Sequence, residues 1–399
     1  MSTTTNSSEP TLSRAQKNGI ITAITCTGSA ALGFGYSAPL ISQNLERMTS
    51  SGALLGWLIS IGAVTTILLT PFVPKLLNRF NAKWIMVLAL IFGALSIPLF
   101  KIFMYPEAWF VIRFIEGCAF TILFVVAETW INQLAPEHLR GRILGMYGTA
   151  LAGGFGLGSG IAVFTGIDGW FPFLFGANLF LLGLIPFILL RTATNVVPPP
   201  KEHSRFSSTL KIILAAPSLI ACGIVFGAIE QVIFHFLPVY ATRLGNTEHM
   251  ARILLLIATL GNALFQYPMG MLTDRINREK LMVFLMGVAF IGPVFMALAG
   301  TNFYLLAGFV FFYIGLTTAI YTVGLVLLAE RFKGHTMSAA NAAFIFAYGI
   351  GSFIVPPICG IMMDVFRPYG FMWTLAALGA CGFILVWVRN HLRKPRQNG

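Results

Sequence analysis

Glu230 has the most unusual surroundings of any ionisable residue in this sequence. It stands in FGAIEQVIFHF (226–236), an apolar stretch with no basic residue within a helical turn of it. Burial without a cation destabilises a charged carboxylate, so this group can exchange a proton near neutral pH. We interpret Glu230 as a proton-exchanging residue with Gln231 beside it. The alternative is a protonated glutamate that only hydrogen-bonds to a neighbour.

Arg113 and Glu116 form a second candidate site, in RFIEG (113–117). A spacing of three residues puts them on one helix face, where they can pair directly. Charges inside an apolar segment are costly and usually face a cavity or one another. We interpret them as a cavity-side pair, in which Arg113 binds an anionic substrate or Glu116 passes a proton. The alternative for Arg113 is snorkelling to the nearer interface.

Two amides extend the same predicted cavity. Asn262 and Gln266 are four residues apart, so a helix carries both on one face. The predicted substrate-cavity residues are therefore Arg113, Glu116, Glu230, Gln231, Asn262 and Gln266.

The composition decides which elements hold these residues. Of 399 residues, 57% are hydrophobic and only 10% are charged, with a mean hydropathy of +0.81. A soluble domain carries about 25% charged residues, because water must hydrate its surface. Such a chain can face lipid instead, which predicts an integral membrane protein. No early basic region precedes the first apolar run, so that run is predicted to be a retained span and not a cleaved signal peptide.

The apolar runs predict an all-α membrane protein with twelve transmembrane helices in two pseudo-symmetric six-helix bundles. Each run is long enough for the roughly 20 residues that cross a bilayer. The segment 191–211 contains three consecutive prolines and divides the spans six and six. We predict bundles at 1–190 and 212–399, joined by this linker. The predicted spans are 18–41, 53–76, 83–103, 108–131, 143–166, 170–190, 216–240, 250–272, 280–299, 302–328, 337–362 and 369–389.

The basic residues predict the orientation. With the N-terminus in the cytoplasm, 20 of the 26 lysines and arginines fall on the cytoplasmic side, five on the other side, and Arg113 within a span. Basic residues concentrate on cytoplasmic loops, so both termini are predicted to be cytoplasmic, in a bacterial inner membrane. The same distribution explains the net charge of +12 without a nucleic-acid partner.

Charged residues at the cytoplasmic ends of the spans predict a gate. Glu128 and Glu330 end spans 4 and 10 near arginines, and half-buried carboxylates need such partners. Asp274 in the loop after span 8 can latch onto an arginine or a helix N-terminus in one conformation only. Solvated helix ends and a helix-capping aspartate are the alternatives. The predicted gate residues are Asp274, Arg275, Arg278, Glu128, Arg142, Glu330 and Arg331.

The two halves repeat weakly at a nearly constant offset, for example at Pro39 and Pro238. On its motifs the sequence resembles the major facilitator superfamily over nearly its whole length. GMLTDRINRE (270–279) is similar to the loop signature G-x-L-x-D-R-x-G-R-[RK], whereas PKLLNRFNAK (74–83) is a degraded copy of it. RFIEG is similar to the span 4 motif R-x-x-Q-G, and VVAETWIN (125–132) resembles a group of bacterial permeases.

The resemblance implies a secondary active transporter that moves a small organic solute by alternating access. Glu230, or failing it Glu116, suggests proton coupling. The alternatives are an uncoupled facilitator and a permease-fold membrane sensor without transport. The expected partners are a small-molecule substrate, protons and the lipid bilayer, and the expected state is a monomer.

Other function classes are disfavoured. The chain has no Walker A string, and its five cysteines are scattered singly, which argues against an ATP-driven pump and against a disulfide or zinc framework. No spacing typical of a nucleophile with its base is present. We therefore predict no enzyme activity, no cofactor and no metal site.

Overall fold

The computed structural model describes residues 12–190, 212–332 and 335–392, so the predicted linker 191–211 lies outside the described residues. Within these ranges twelve helices are long and apolar enough to span a membrane, and each predicted span falls on one of them. Among the described residues there are no strands, which confirms the all-α fold. The helices, numbered α1 to α12 along the chain, are Arg14–Thr49, Gly52–Arg79, Ala82–Ile102, Pro106–Leu134, Glu137–Thr165, Phe171–Leu189, Pro217–Arg243, Glu248–Arg275, Arg278–Leu298, Phe303–Arg331, His335–Val365 and Gly370–Leu392.

Side-chain caps fix where several helices begin. Ser13 and Gln16 form a capping box at the start of α1, and Ser51 accepts a hydrogen bond from the Leu54 amide at the start of α2. Thr247 accepts from the Met250 amide in the same way at the start of α8. These caps satisfy amides that have no partner within the helix.

The two ends of the helix bundle differ in charge chemistry. The basic end is where α1 begins and α12 ends, and it carries Arg14, Lys75, Arg140, Arg278 and Arg389. At the paired end α1 ends and α2 begins, and ion pairs between arginines and carboxylates cluster there. We call α1–α6 the first half and α7–α12 the second half.

Small residues let the two halves pack closely near the paired end. A Cβ at Gly56 of α2 would collide with the Pro356 backbone of α11, and one at Gly360 of α11 would collide with the Gly52 backbone. Glycine at these positions allows the two backbones to touch, which is how transmembrane helices commonly associate. The α2–α11 contact thus joins the first half to the second.

Two other helices, α5 and α8, are far more exposed than α1 and α7. Within their most apolar windows α5 is 28% buried and α8 is 33% buried, whereas α1 and α7 are each 67% buried. A Cβ at Gly145 or Gly148 of α5, or at Gly270 of α8, would meet nothing within 4 Å. The bundle is therefore tightly packed around α1 and α7 and opens toward the basic end.

Candidate functional site

Arg113 and Glu116 form a fully buried ion pair on α4. The Arg113 Nη1 lies 2.7 Å from the Glu116 Oε2, and their side chains are 2% and 0% exposed. The Ser37 hydroxyl of α1 donates to the other Glu116 oxygen at 3.0 Å. The guanidinium also lies over the Phe34 ring, 4.4 Å from its centroid. Arg113 therefore pairs inside the bundle and does not snorkel to the interface.

His235 connects this pair to the second half. The His235 Nδ1 lies 3.0 Å from the Gln231 carbonyl oxygen, so Nδ1 carries the proton and donates it. The Nε2 is then a lone-pair acceptor, and it lies 3.1 Å from the Arg113 Nη2. Arginine only donates, so the contact requires a neutral histidine. A charge-assisted hydrogen bond thereby joins α4 to α7.

Glu230 lies near the middle of α7, with a tyrosine as its partner. The Tyr348 hydroxyl of α11 donates to the Glu230 Oε2 at 2.5 Å, a distance typical of a charge-assisted bond to a carboxylate. No lysine or arginine pairs with Glu230 within the described residues. Glu230 is half-buried, so solvent reaches it from one side.

The three predicted cavity amides lie on two helices, α7 and α8. Gln231 is half-buried, and its carbonyl holds His235. On α8, Asn262 is half-buried and Gln266 is exposed. They follow Thr259 by three and seven residues, and the Thr259 hydroxyl lies 3.3 Å from the Ser159 hydroxyl of α5. The three α8 positions therefore share the face that α8 turns toward the first half.

Half-buried aromatic rings continue from the Arg113 site toward the basic end. In the first half, Phe34, Phe120 and Phe155 lie within 5.0–6.0 Å of one another, and Phe124 and Tyr147 extend the row. Phe155 also contacts Phe234 of the second half at 5.8 Å. Beside Glu230 the second half carries Phe226, Tyr321, Tyr348 and Phe344.

Two bidentate ion pairs join the halves at the paired end. Arg47 of α1 holds Glu248 of α8 at 2.5 Å and 2.6 Å. Arg243 of α7 holds Glu46 of α1 at 2.7 Å and 2.9 Å. Planar arginine–carboxylate pairs of this kind fix relative orientation as well as distance. The halves are thus held together at this end in a defined register.

An acidic cap reinforces the paired end. The Asp364 carboxylate at the end of α11 accepts hydrogen bonds from the Gly52 and Ala53 amides at the start of α2, at 2.8 Å and 2.9 Å. A carboxylate is stabilised there because helix N-terminal amides are unpaired and partly positive. In the neighbouring loop, the Arg47 guanidinium beside Asp168 lowers the pKa of that carboxyl.

At the basic end only some of the predicted gate residues make polar contacts that the structure describes. Glu330 pairs with Arg278, and Arg331 donates to the Ala215 carbonyl, both within the second half. Glu128 and Arg142 are exposed, and no ion pair joins them in the described part of the chain. Arg275, the last residue of α8, is exposed, and the side chain of Asp274 lies outside the described ones.

Sequence reasoning missed the residues that join the halves. His235 follows Glu230 by five residues, which does not place it on the Glu230 face, and only the packing of α4 on α7 brings it to Arg113. Glu46, Arg243 and Asp364 were also missed. Their signal was available, because charges of opposite sign stand at the predicted ends of spans 1, 7 and 11.

The described residues contain no group of three His, Cys, Asp or Glu side chains that could hold a metal ion. What the site offers is a mid-depth ion pair bridged between halves, a carboxylate without a cation, and aromatic walls. Those groups can bind a solute and exchange a proton.

A family model described as Major Facilitator Superfamily matches residues 20–251 and 219–399. A relative described as the uncharacterized MFS-type transporter YfkF of Bacillus subtilis is 23% identical over 91% of this chain and 92% of its own length. The uncharacterized MFS-type transporter YcaD of Salmonella enteritidis PT4 is 24% identical over 72% of this chain and 74% of its own.

Solved structures share the fold. The nucleoside transporter NupG superposes with a TM-score of 0.75 at 16% identity, covering 94% of this chain and 99% of its own. A D-xylose-proton symporter superposes with a TM-score of 0.70 at 19% identity, covering 92% of this chain and 97% of its own. At these identities the likeness concerns the fold alone.

Proposed function

This chain belongs to the major facilitator superfamily and is a multi-pass membrane transporter rather than an enzyme; from that premise we propose that it carries a small organic solute by alternating access. The predicted halves, 1–190 and 212–399, would rock against each other about the central helices, with 191–211 as their linker. One cavity would then open to each side in turn.

The proposal depends on one observation, which is that the hydrogen bonds and ion pairs between the halves are distributed unequally along the bundle. The bonds of Arg47, Arg243, Asp364 and His235 lie at the paired end or at mid-depth. The basic-end parts of α5 and α8 are exposed and include glycines facing open space. That arrangement is what a carrier has when it is closed at the paired end and open at the basic end.

We assign the basic end to the cytoplasm. The excess of lysine and arginine in its short loops supports this orientation, because basic loops are retained on the cytoplasmic side. Both termini are then cytoplasmic, and the bacterial relatives support a bacterial plasma membrane as the location. In this orientation the conformation is inward-facing.

Glu230 is our candidate for the coupling proton. It has a hydroxyl partner and no cation, so its charge state depends on how much water reaches it. Opening the cavity hydrates the carboxylate and closing it restores the cost of burial, which links protonation to the side that is open. Glu116 is the second candidate, although Arg113 and Ser37 already hold it as a carboxylate.

We propose that the basic-end charges form a latch in the opposite conformation. Glu128, Arg142, Arg275 and Asp274 would meet partners across the halves when the basic end closes. The Arg278–Glu330 pair would hold the ends of α9 and α10 together throughout. Such a latch biases the equilibrium without touching the solute.

Counterflow in proteoliposomes tests the transport proposal. Vesicles preloaded with members of a metabolite panel should take up the labelled counterpart faster than protein-free vesicles. An imposed pH gradient should then drive accumulation if transport is proton-coupled. Exchange without pH-driven accumulation would indicate an uncoupled facilitator, whereas ligand binding without flux would indicate a sensor.

A further inference from the structure

We propose that a groove at the basic end of the first half binds an anionic phospholipid, by its phosphodiester headgroup and the first part of an acyl chain. The groove lies between α2 and α4 and has a volume of about 430 Å³, which is in the range of small-ligand sites. Its α4 wall is Ile122, two residues from both Phe120 and Phe124. At helical spacing Ile122 lies on the other face of α4, so the groove is separate from the aromatic row of the proposed solute cavity.

An interruption of α2 marks where the groove begins. One turn earlier the two helices touch, since the Thr66 hydroxyl of α2 lies 3.0 Å from the Thr121 hydroxyl of α4. A 3₁₀ turn at Thr70–Phe72 then interrupts α2, and Pro71 within it has no amide hydrogen to donate to the helix. Leu69, directly before this turn, is the first residue of α2 that lines the groove.

The lining changes from apolar to basic along α2. Arg79 is the last residue of α2 and lies about 15 Å along the helix axis from Leu69. Because α2 spans the bilayer, its last turn lies at the level of the headgroups and Leu69 lies among the acyl chains. A ligand that fills the groove therefore needs an anionic end and an apolar body. The apolar part of the lining includes Leu69, Phe72 and Leu76, and the basic part is Lys75 and Arg79.

No carboxylate accompanies the two cations. The sequence has no aspartate or glutamate at 47–106, and no ion pair joins Lys75 or Arg79 in the described part of the chain. The Lys75 Nζ lies 5.2 Å from the centroid of the Phe72 ring, and the Arg79 guanidinium lies 5.9 Å from that of the Phe80 ring. Both cations thus lie over aromatic walls of the groove and complement an anion from outside the chain.

The corresponding turn of the second half has acids of its own. Around the turn from α8 to α9 the sequence contains Asp274 and Glu279. Arg278 in the same turn pairs with Glu330. The turn from α2 to α3 has Asn78 in the position that corresponds to Asp274, so only the first-half turn lacks a negative charge.

A phospholipid satisfies both parts of the groove. Phe72 and Phe80 are 56% and 53% exposed, so the groove is open along one side and an acyl chain can enter it from the bilayer. A free phosphoester would contact only the basic part. In the orientation that we assign, the cations face the cytoplasmic leaflet, where basic pockets between transmembrane helices bind anionic lipid headgroups.

Lipid titration followed by native mass spectrometry tests the assignment. Purified full-length protein in detergent is titrated with dioleoyl phosphatidylglycerol and, separately, with dioleoyl phosphatidylcholine, which has the same chains and no net charge. We expect the first phosphatidylglycerol to bind about tenfold more tightly or better, and glycerol phosphate not to displace it. Equal affinities would overturn the proposal, and displacement by glycerol phosphate would assign the groove to a free phosphoester. Binding requires no flux, so neither outcome depends on the proposed transport.

Variants locate the lipid in the groove. Lys75→Gln combined with Arg79→Gln should weaken phosphatidylglycerol binding about tenfold or more and leave phosphatidylcholine unchanged. Leu76→Trp fills the apolar part without changing the charge and should also weaken it, and Ile122→Phe fills the groove from the opposite wall. Lys280→Gln is the matched control, since it removes an exposed cation from the corresponding turn of the second half.

The variants also decide against the proposal if it is wrong. Unchanged phosphatidylglycerol affinity in the folded double variant, with size exclusion as the folding check, would show that Lys75 and Arg79 do not hold the headgroup. Unchanged affinity in both groove-filling variants would mean that the lipid contacts the basic surface and not the groove. An equal loss in Lys280→Gln would reduce the effect to the general attraction between basic loops and anionic lipid.

Discussion

The two carboxylates Glu116 and Glu230 lie at mid-depth in opposite halves and differ in every feature that controls their charge. Glu116 is fully buried, with an arginine at 2.7 Å and a serine hydroxyl on its second oxygen. Glu230 is half-buried, with a tyrosine hydroxyl and no cation. The comparison teaches that the Glu116 carboxylate belongs to a structural ion pair within the helix bundle, whereas the Glu230 carboxylate is free to change its protonation state.

The largest expected effect, on stability, comes from breaking the Arg113–Glu116 ion pair. Arg113→Ala leaves Glu116 buried without its cation, which typically costs about 3–5 kcal/mol. We expect poor yield and a sharply lower melting temperature in detergent. Arg113→Met combined with Glu116→Leu should recover most of that stability, because no uncompensated charge remains. Melting of Arg113→Ala close to that of the wild type would show that the pair is not structural.

The second-largest effect is expected on transport, from replacing Glu230. Glu230→Gln mimics the protonated side chain and can keep the Tyr348 contact, so melting should change little. At saturating solute it should abolish pH-driven accumulation while exchange continues, because only the proton step is lost. Proteoliposomes with an imposed pH gradient measure both, with Glu107→Gln as the control. Normal pH-dependent accumulation by Glu230→Gln would move the coupling role to Glu116.

This comparison was only partly predictable from the sequence. The i, i+3 spacing gave the Arg113–Glu116 pair, and the lack of a neighbouring cation singled out Glu230, because both are local properties of one helix. The partners Ser37, His235 and Tyr348 come from other helices. Their assignment needs the packing of the helices on one another, which periodicity and hydropathy do not determine.

The charged residues at the two ends of the molecule show the same limit of prediction from sequence. Twelve spans follow from hydropathy alone, and the described residues contain a helix for each of them. Which arginine pairs with which carboxylate at the paired end does not follow, since Arg47 and Arg243 each have several acids at equal predicted depth. The gate expected around Glu128 also depends on the conformation, which a sequence does not specify.

A smaller effect is expected from replacing His235, which joins the Arg113–Glu116 pair to α7, the helix that carries Glu230. His235→Phe removes a hydrogen bond to a charged group, worth about 1.5–3 kcal/mol. We expect the equilibrium to shift at least tenfold toward opening of the paired end. In a cysteine-free background, maleimide labelling of Gly148→Cys at the basic end should slow accordingly.

His235→Gln serves as its control, since its amide oxygen can accept from Arg113 and should keep labelling near the starting rate. Equal slowing in both variants would attribute the effect to packing of the ring and not to the hydrogen bond.

At the paired end, Arg243 and Arg47 should differ in the same way as the two carboxylates. The Arg243 side chain is 8% exposed and also contacts Asp364 and the Met363 carbonyl, whereas that of Arg47 is 43% exposed. Arg243→Ala should lower the melting temperature by several degrees, and Arg47→Ala by much less, because exposed pairs contribute about 0–1 kcal/mol. Equal losses would mean that burial does not set the strength of these pairs.

The smallest effect is expected at Asp168, a carboxylate that has a cation like Glu116 but lies in water. The Arg47 guanidinium lowers its pKa, so Asp168 stabilises the fold above its unfolded value, about 3.9, and the contribution is lost as the pH falls through the lower folded value. The Asp168 side chain is 81% exposed, so water and salt screen the pair. Asp168→Asn should therefore lower the melting temperature slightly at pH 7, and the difference from the wild type should disappear as the pH falls through the lowered folded pKa of Asp168, and also in about 1 M salt. A difference that persists at low pH or in high salt would assign the effect to the shape of the loop, since a screened charge pair cannot survive either condition.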